Sequence, residues 1–230
     1  MLAQPQSSKS LLYVAILPEG YDPSRSYPLV ILLHGYGAHM YDLASLAPSI
    51  DPHSYVYVCP NGPVPVMIGQ GMMGYSWRPP RDDGGPPEAQ QEQARRVEGM
   101  LGAFFGEVME RYKTPPGKSI LIGFSQGGTV TYNLGLARPD LFAGIACLST
   151  GIAEPELVRS RLPAQRAQPV FIAHGLQDNP DRARRSRAFL EEAGYKPEYH
   201  EYNMGHEISD EVLRDLAPWV HKLLPVLTLP

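Results

Sequence analysis

Short apolar runs alternate along this chain with longer stretches whose apolar residues recur at helical spacing. Several of the short runs are continuously apolar and are bounded by Pro or Gly, which is typical of strands buried on both faces of a parallel sheet. The runs predict strands over residues 11–17, 29–33, 55–59, 119–124, 144–148, 170–173 and 198–202. The longer stretches predict helices over residues 88–112, 128–137, 181–193 and 209–224. The alternation predicts an α/β fold with a mostly parallel central sheet of about seven strands, flanked by helices.

Two stretches break this alternation. Residues 60–87 are rich in Pro and Gly and are too long for a simple connection, and loops of this length are usually functional or disordered. The stretch also holds apolar side chains, which favour an ordered loop folded over a pocket over a disordered one. Residues 154–168 predict a short helix followed by a loop.

Length and composition narrow the class of protein. A chain of 230 residues predicts a single domain over residues 1–230. The net charge of -4 gives no reason to expect nucleic acid or an anionic membrane as a partner. The apolar runs are too short to span a bilayer, and residues 1–10 lack the pattern of a signal peptide. We therefore expect a cytoplasmic enzyme that does not insert stably into a membrane.

The two cysteines, Cys59 and Cys147, both lie in apolar runs that predict strands. They are expected to be free, buried thiols. No cysteine spacing such as C-x-x-C indicates a metal, and the sequence predicts no metal site.

The segment Gly123-Phe124-Ser125-Gln126-Gly127 lies between a predicted buried strand and a predicted helix. A G-x-S-x-G sequence in this position is typical of a nucleophile elbow, in which a sharp turn exposes the serine hydroxyl. Gly123 and Gly127 suit such a turn, since glycine tolerates strained dihedral angles and close backbone approach. Taken alone, the same five residues also fit a phosphate-binding or purely structural turn.

A serine nucleophile needs a base, and the base needs a carboxylate to fix its tautomer. In this class of fold the acid and then the histidine follow the serine along the chain. Asp178 lies in the loop directly after the strand predicted over 170–173, whereas Asp181 fits the start of the next helix. His206 follows the last predicted strand and precedes the last helix. Asp178 and His206 are therefore the predicted acid and base.

The tetrahedral intermediate of acyl transfer also needs backbone N–H donors. One is expected from the residue after the nucleophile, here Gln126, and one from the loop after an early strand. That loop is His34-Gly35-Tyr36-Gly37, and Tyr36 is its predicted donor. The glycines could instead mark a simple tight turn.

At this point the sequence resembles a known family, the phospholipase/carboxylesterase family of α/β-hydrolases. This family comprises small bacterial carboxylesterases, lysophospholipase-like enzymes and acyl-protein thioesterases. The resemblance extends from about residue 29 to residue 224, and the sequence departs from the family at Arg78 and at Asn179-Pro180-Asp181. The matching segments are Leu33-His34-Gly35-Tyr36-Gly37, Gly123-Phe124-Ser125-Gln126-Gly127-Gly128, His174-Gly175 followed by Asp178, and Met204-Gly205-His206-Glu207-Ile208.

The resemblance implies an α/β-hydrolase fold without a separate cap domain and a serine hydrolase that needs no cofactor. It assigns the triad to Ser125, Asp178 and His206. It also places Met72, Met73 and Trp77 near the substrate, as the lining of an acyl pocket.

We accordingly expect a carboxylesterase that hydrolyses short- to medium-chain carboxylic esters of small molecules through an acyl-enzyme on Ser125, acting as a monomer or homodimer. An acyl-protein or acyl-CoA thioesterase, or a lysophospholipase, would use the same triad. A ligand-binding protein on a hydrolase scaffold is the alternative outside the enzymes, although such proteins usually lack a member of the triad.

Overall fold

Eight strands form one sheet, in the order β1-β2-β4-β3-β7-β8-β9-β10. The computed structural model describes residues 1–69, 71–79 and 87–225. The five neighbouring pairs from β4 to β10 are parallel, and β1 and β2 extend one edge in antiparallel pairing. The strands of this sheet are β1 (Leu2–Ser7), β2 (Leu12–Leu17), β3 (Leu29–Leu33), β4 (Val56–Pro60), β7 (Ser119–Phe124), β8 (Phe142–Leu148), β9 (Val170–Gly175) and β10 (Glu198–Tyr202).

Helices cover both faces of this sheet, which confirms the predicted α/β-hydrolase architecture. The helices are α1 (Ala47–Ile50), α2 (Pro87–Arg111), α3 (Gln126–Val130), α4 (Pro155–Arg161), α5 (Asp181–Glu192) and α6 (Asp210–Leu223). The helix predicted over 128–137 begins two residues earlier than expected. After Val130 it widens into a π-helical turn, Thr131–Gly135.

The core consists of two apolar clusters, one on each face of the sheet. Successive residues of a buried strand point to opposite faces, so Leu29 and Ile31 enter one cluster and Val30 and Leu32 the other. The first cluster includes apolar side chains of α2 and α5, and the second includes those of α1 and α6. Continuous apolar strands are therefore explained by burial on both faces. Cys59 and Cys147 are buried free thiols, as predicted, and burial raises the pKa of both.

The eighth strand, β1, is absent from the sequence prediction. Its residues alternate between exposed and half-buried and include Pro5, so the apolar pattern of a buried strand is missing. It is a strand because its backbone pairs with β2 at the edge of the sheet. Proline is tolerated at such an edge, where the missing N–H need not complete a ladder.

The stretch predicted as a loop over residues 60–87 contains a β-hairpin. Its strands are β5 (Val64–Gly69) and β6 (Met72–Ser76), which form a separate two-stranded antiparallel sheet. Residues 70 and 80–86 of the predicted loop lie outside the described residues. In the described part of the chain, the long connection adds this hairpin and no separate cap domain. No helix among the described residues has the length and apolar character needed to cross a bilayer.

Candidate active site

Ser125 occupies a strained turn between β7 and α3. Its backbone has φ 53° and ψ -116°, a conformation that residues other than glycine rarely adopt. A Cβ on Gly123 would overlap the carbonyl oxygen of Gly127, and a Cβ on Gly127 would lie 2.6 Å from the carbonyl oxygen of His34. The Ser125 N–H donates to Leu148 O at 2.9 Å, at the end of the neighbouring strand β8. The turn thus needs glycine at both flanking positions, as expected for an elbow.

The three residues predicted as a triad come together at the carboxyl ends of β7, β9 and β10. Nε2 of His206 is 2.9 Å from Ser125 Oγ, and Nδ1 of His206 is 2.6 Å from Asp178 Oδ2. A carboxylate only accepts hydrogen bonds, so Nδ1 carries the proton and Nε2 is free to accept from the serine hydroxyl. The Asp178 side chain is about three-quarters buried, whereas the His206 side chain is 44% exposed. The geometry is that of an activated serine with an oriented base.

A fully buried histidine, His174, lies behind the carboxylate. Its Nε2 donates to the backbone carbonyl oxygen of Asp178 and lies 3.4 Å from Asp178 Oδ2. Among the described residues, no hydrogen-bond partner faces its Nδ1. The sequence places His174 at the end of β9, four residues before Asp178. That spacing was the available signal for a contact with the acid, and the sequence prediction did not use it.

The loop expected to supply the second oxyanion donor is held by the side chain of His34. His34 Nε2 accepts the N–H of Gly62 at 3.0 Å, so its Nδ1–H donates to Gly35 O at 2.7 Å. Burial lowers the pKa of His34, which keeps this ring neutral in that tautomer. The loop that contains Tyr36 is therefore fixed against the end of β4.

The other predicted donor, the backbone N–H of Gln126, belongs to the first residue of α3. N–H groups in the first turn of a helix have no acceptor within the helix and point out of its end. The side chain of Gln126 is held as well, since its Oε1 accepts the N–H of Trp77 at 2.9 Å and its Nε2 donates to Ser76 Oγ at 2.9 Å.

The predicted pocket residues fall into two environments. Met72 and Met73 are exposed on the β5–β6 hairpin, at 60% and 51% of their surface. Trp77 is buried and donates its indole N–H to His34 O at 2.7 Å. It borders a cavity of about 290 Å³ whose described lining residues include Arg78 and Asn133 but no member of the triad. Trp77 therefore supports the loop of His34 from behind, and contact of the three residues with an acyl group stays a prediction.

Comparisons with known proteins agree with this architecture. The chain matches the profile of the Phospholipase/Carboxylesterase family over residues 21–224. It is 28% identical to acyl-protein thioesterase 1 of Mycosarcoma maydis over 219 residues, which cover 85% of this chain and 91% of the relative. It is 29% identical to a probable carboxylesterase of Oryza sativa subsp. japonica over 164 residues, which cover 68% of this chain and 61% of that protein.

Solved structures show the same fold. The crystal structure of esterase PE8 superimposes with a TM-score of 0.74 at 25% identity, covering 91% of this chain and 97% of PE8. The Bacillus cereus carboxylesterase gives a TM-score of 0.73 at 22% identity, covering 94% and 95% of the two chains.

The fold and the arrangement at the strand ends define a hydrolase of the α/β-hydrolase class. Within that class, the family model matches residues 21–224, which is most of the chain. The chain therefore belongs to the phospholipase/carboxylesterase family.

Proposed function

We propose that this protein is a serine carboxylesterase that hydrolyses short- to medium-chain carboxylic esters of small molecules through an acyl-enzyme on Ser125. The observation that carries the proposal is the continuous hydrogen-bonded line from Ser125 Oγ to His206 and on to Asp178, at 2.9 and 2.6 Å. A serine hydroxyl is a weak nucleophile near neutral pH, and a base at this distance is what activates it.

In the acylation step, Nε2 of His206 takes the hydroxyl proton while Ser125 Oγ bonds to the ester carbonyl carbon. The carbonyl oxygen becomes an oxyanion, which the N–H groups of Tyr36 and Gln126 stabilise. When the tetrahedral intermediate collapses, the bond to the alkoxy oxygen breaks and His206 protonates that oxygen, so that the alcohol leaves.

Deacylation repeats these transfers with water. His206 takes a proton from the water as its oxygen attacks the acyl carbon, and a second oxyanion forms in the same place. The bond to Ser125 Oγ then breaks, the serine regains its proton from His206, and the carboxylic acid leaves. The Asp178 carboxylate stabilises the imidazolium that forms twice in each cycle.

The proposal is tested with Ser125→Ala, assayed with an aryl ester of a short acyl chain. We expect turnover to fall by at least about 10⁴-fold, because removal of a triad nucleophile leaves only the oxyanion hole and binding. The control is Ser160→Ala, which removes an exposed hydroxyl on α4 that donates to Leu157 O at 2.8 Å. Hydrolysis by Ser125→Ala at a rate comparable to the control would refute the assignment.

The second candidate is a thioesterase that acts on acylated proteins or acyl-CoA. Two observations favour it: a relative over most of the chain is named acyl-protein thioesterase 1, and the hairpin beside the candidate site exposes Met67, Met72 and Met73. Flexible methionine side chains suit an apolar acyl group. The chemistry is the same for both leaving groups, and a lysophospholipase would also use it.

Rates on oxygen esters and thioesters of matched acyl length separate the two candidates. A kcat/KM for the oxyester series that exceeds the thioester series at every chain length supports the carboxylesterase. The opposite order supports the thioesterase. Labelling of Ser125 by an organophosphonate excludes a purely ligand-binding protein, because that reagent needs an activated serine.

A further inference from the structure

We propose that the segment Gly74–Trp77, defined here as the hairpin clamp, is the positioning element of the oxyanion hole. The proposal rests on the proposed function, since it assigns the clamp to the N–H groups of Tyr36 and Gln126. None of the four clamp residues is proposed to touch the reacting atoms. They act through the two donor segments, and they contact both of them.

The first contact is with the loop that contains Tyr36. The N–H of Gly37 donates to Tyr75 O at 2.9 Å, and the N–H of Tyr75 donates to Ala38 O at 2.9 Å. These two backbone hydrogen bonds join the strand β6 to the loop that contains Tyr36. They fix the residues directly after Tyr36 to the strand β6.

Gly74 makes this approach possible. A Cβ on Gly74 would overlap the carbonyl oxygen of Gly37 and would lie 2.8 Å from Gly37 Cα. Carbon atoms in favourable contact are about 3.5–4.0 Å apart, so any side chain at position 74 must separate the hairpin from the loop. The Cβ would collide with backbone atoms of Gly37, and neither a Cβ nor a backbone atom can turn away as the end of a long side chain can.

The second contact is with Gln126. Ser76 is fully buried, and its hydroxyl donates to Arg78 O at 2.7 Å while accepting from Gln126 Nε2 at 2.9 Å. The N–H of Trp77 donates to the other end of the same amide, Gln126 Oε1. Both ends of the Gln126 side chain are thereby hydrogen-bonded, and the first residue of α3 is tied to the strand that also holds the Tyr36 loop.

The Trp77 indole makes a further contact with the loop that contains Tyr36. Its N–H donates to His34 O at 2.7 Å, two residues before Tyr36. The two donor segments come from separate parts of the chain, after β3 and after β7, yet four consecutive residues set the position of both. N–H donors that are already held in place before the reaction need not move when the oxyanion forms. This preorganisation accounts for the larger part of their catalytic effect.

The test compares Gly74→Ala and Ser76→Ala with the matched control Gly69→Ala. Gly69 lies in the same hairpin, and within the described part of the chain a Cβ there would meet only the terminal methyl of Met72, at 3.1 Å. Three quantities are measured for each folded variant. They are kcat and KM for an aryl ester, and the inhibition constant of an aliphatic trifluoromethyl ketone, whose adduct with Ser125 places an oxyanion in the hole.

We expect Gly74→Ala to lower kcat by about 10²-fold, because displacements of about 1 Å at a catalytic group have effects of this size. Ser76→Ala should lower kcat by about 10-fold, since it removes one of two partners of Gln126. In both variants KM should change by less than about threefold, and the ketone should bind more weakly in proportion to kcat. Ser76→Thr, which restores the hydroxyl, should recover most of the activity.

The clamp is refuted if Gly74→Ala and Ser76→Ala match Gly69→Ala in both kcat and ketone affinity. A loss confined to KM also overturns it, because it would assign the hairpin to substrate binding. If Gly74→Ala does not fold, Ser76→Ala and its rescue by Thr decide the question. Failure of the clamp is distinguishable from failure of the proposed function, since only the latter leaves Ser125→Ala active.

Discussion

The carboxylate of Asp178 offers a sharp test of the candidate site, because the replacement Asp178→Asn changes the shape of the side chain little. The group that approaches Asp178 Oδ2 most closely is an N–H donor, Nδ1 of His206 at 2.6 Å. Nε2 of His174, another donor, lies 3.4 Å from the same oxygen. If the amide NH₂ of the asparagine took the place of Oδ2, it would face these two N–H groups, and donors cannot bond to one another. The alternative is for the His206 ring to move its proton to Nε2, where it could no longer accept the Ser125 proton.

The expected loss is about 10⁴-fold in kcat, the size of effect produced by the wrong histidine tautomer in another Ser-His-Asp enzyme. At about 1.4 kcal/mol for each factor of ten, this corresponds to about 5.5 kcal/mol of transition-state stabilisation. KM should change little, since the proposed mechanism gives the carboxylate no contact with the substrate.

The assay measures kcat and KM for an aryl ester, together with the rate of organophosphonate labelling at Ser125 and a circular dichroism spectrum. The control is Asp181→Asn at the start of α5, where an exposed carboxylate 3.2 Å from Arg184 Nη1 forms a surface ion pair. Surface pairs contribute about 0–1 kcal/mol, and this variant should keep wild-type activity. If folded Asp178→Asn retains kcat within tenfold of the control, the carboxylate is not the acid of a triad.

Three further predictions concern the elbow, acid stability and the core. Gly127→Ala places a Cβ against Leu33 O and should lower kcat about 10²-fold; wild-type turnover would contradict the proposed crowding. The guanidinium of Arg184 holds the pKa of Glu201 at about 2 instead of 4.5. The stabilisation from this ion pair is fully present above about pH 4.5 and is lost as the pH falls towards 2. The unfolding free energy of Glu201→Gln, measured in urea, should therefore change less with pH in that window than the wild-type value. An unchanged pH dependence would refute this prediction. Phe142→Ala removes a ring that is 1% exposed and should lower the unfolding free energy by about 3–5 kcal/mol. A loss below about 1 kcal/mol would contradict this, because it would mean that neighbouring side chains fill the cavity.

Local chemistry explains why much of the site could be predicted from the sequence. Gly123 and Gly127 flank Ser125 because the turn excludes side chains, and that requirement is visible in the letters alone. Continuous apolar runs identify β3, β7 and β9, since strands buried on both faces leave no polar position. Parallel strands bring their carboxyl ends to one edge, so that residues following β9 and β10 were expected near the elbow.

Edge strands that are polar or contain proline lack the continuous apolar run by which buried strands are recognised in the sequence. β1 and the β5–β6 hairpin are strands because of what they pair with, since edge positions impose no apolar pattern on the sequence. Trp77 shows the same limit. The family resemblance places it near the substrate, which stays a prediction, whereas its hydrogen bond to His34 O joins residues far apart in the chain and has no signal in the sequence.

The order of the buried strands and the longer helices, the strained serine turn and the residues able to supply an acid and a base could all be recognised from the sequence. Those features depend on burial periodicity and on the conformational range of glycine, both of which act over a few residues. The contacts of the hairpin clamp with both donor segments, the Tyr36 loop and Gln126, become visible only in the folded chain. Those contacts join residues about 40 to 50 positions apart in the chain. Some are backbone hydrogen bonds, which place no demand on residue type except where, as at Gly74, a side chain would not fit. The others are side-chain hydrogen bonds of Ser76, Trp77 and Gln126, whose partners are too distant in the chain to be recognised from any local pattern.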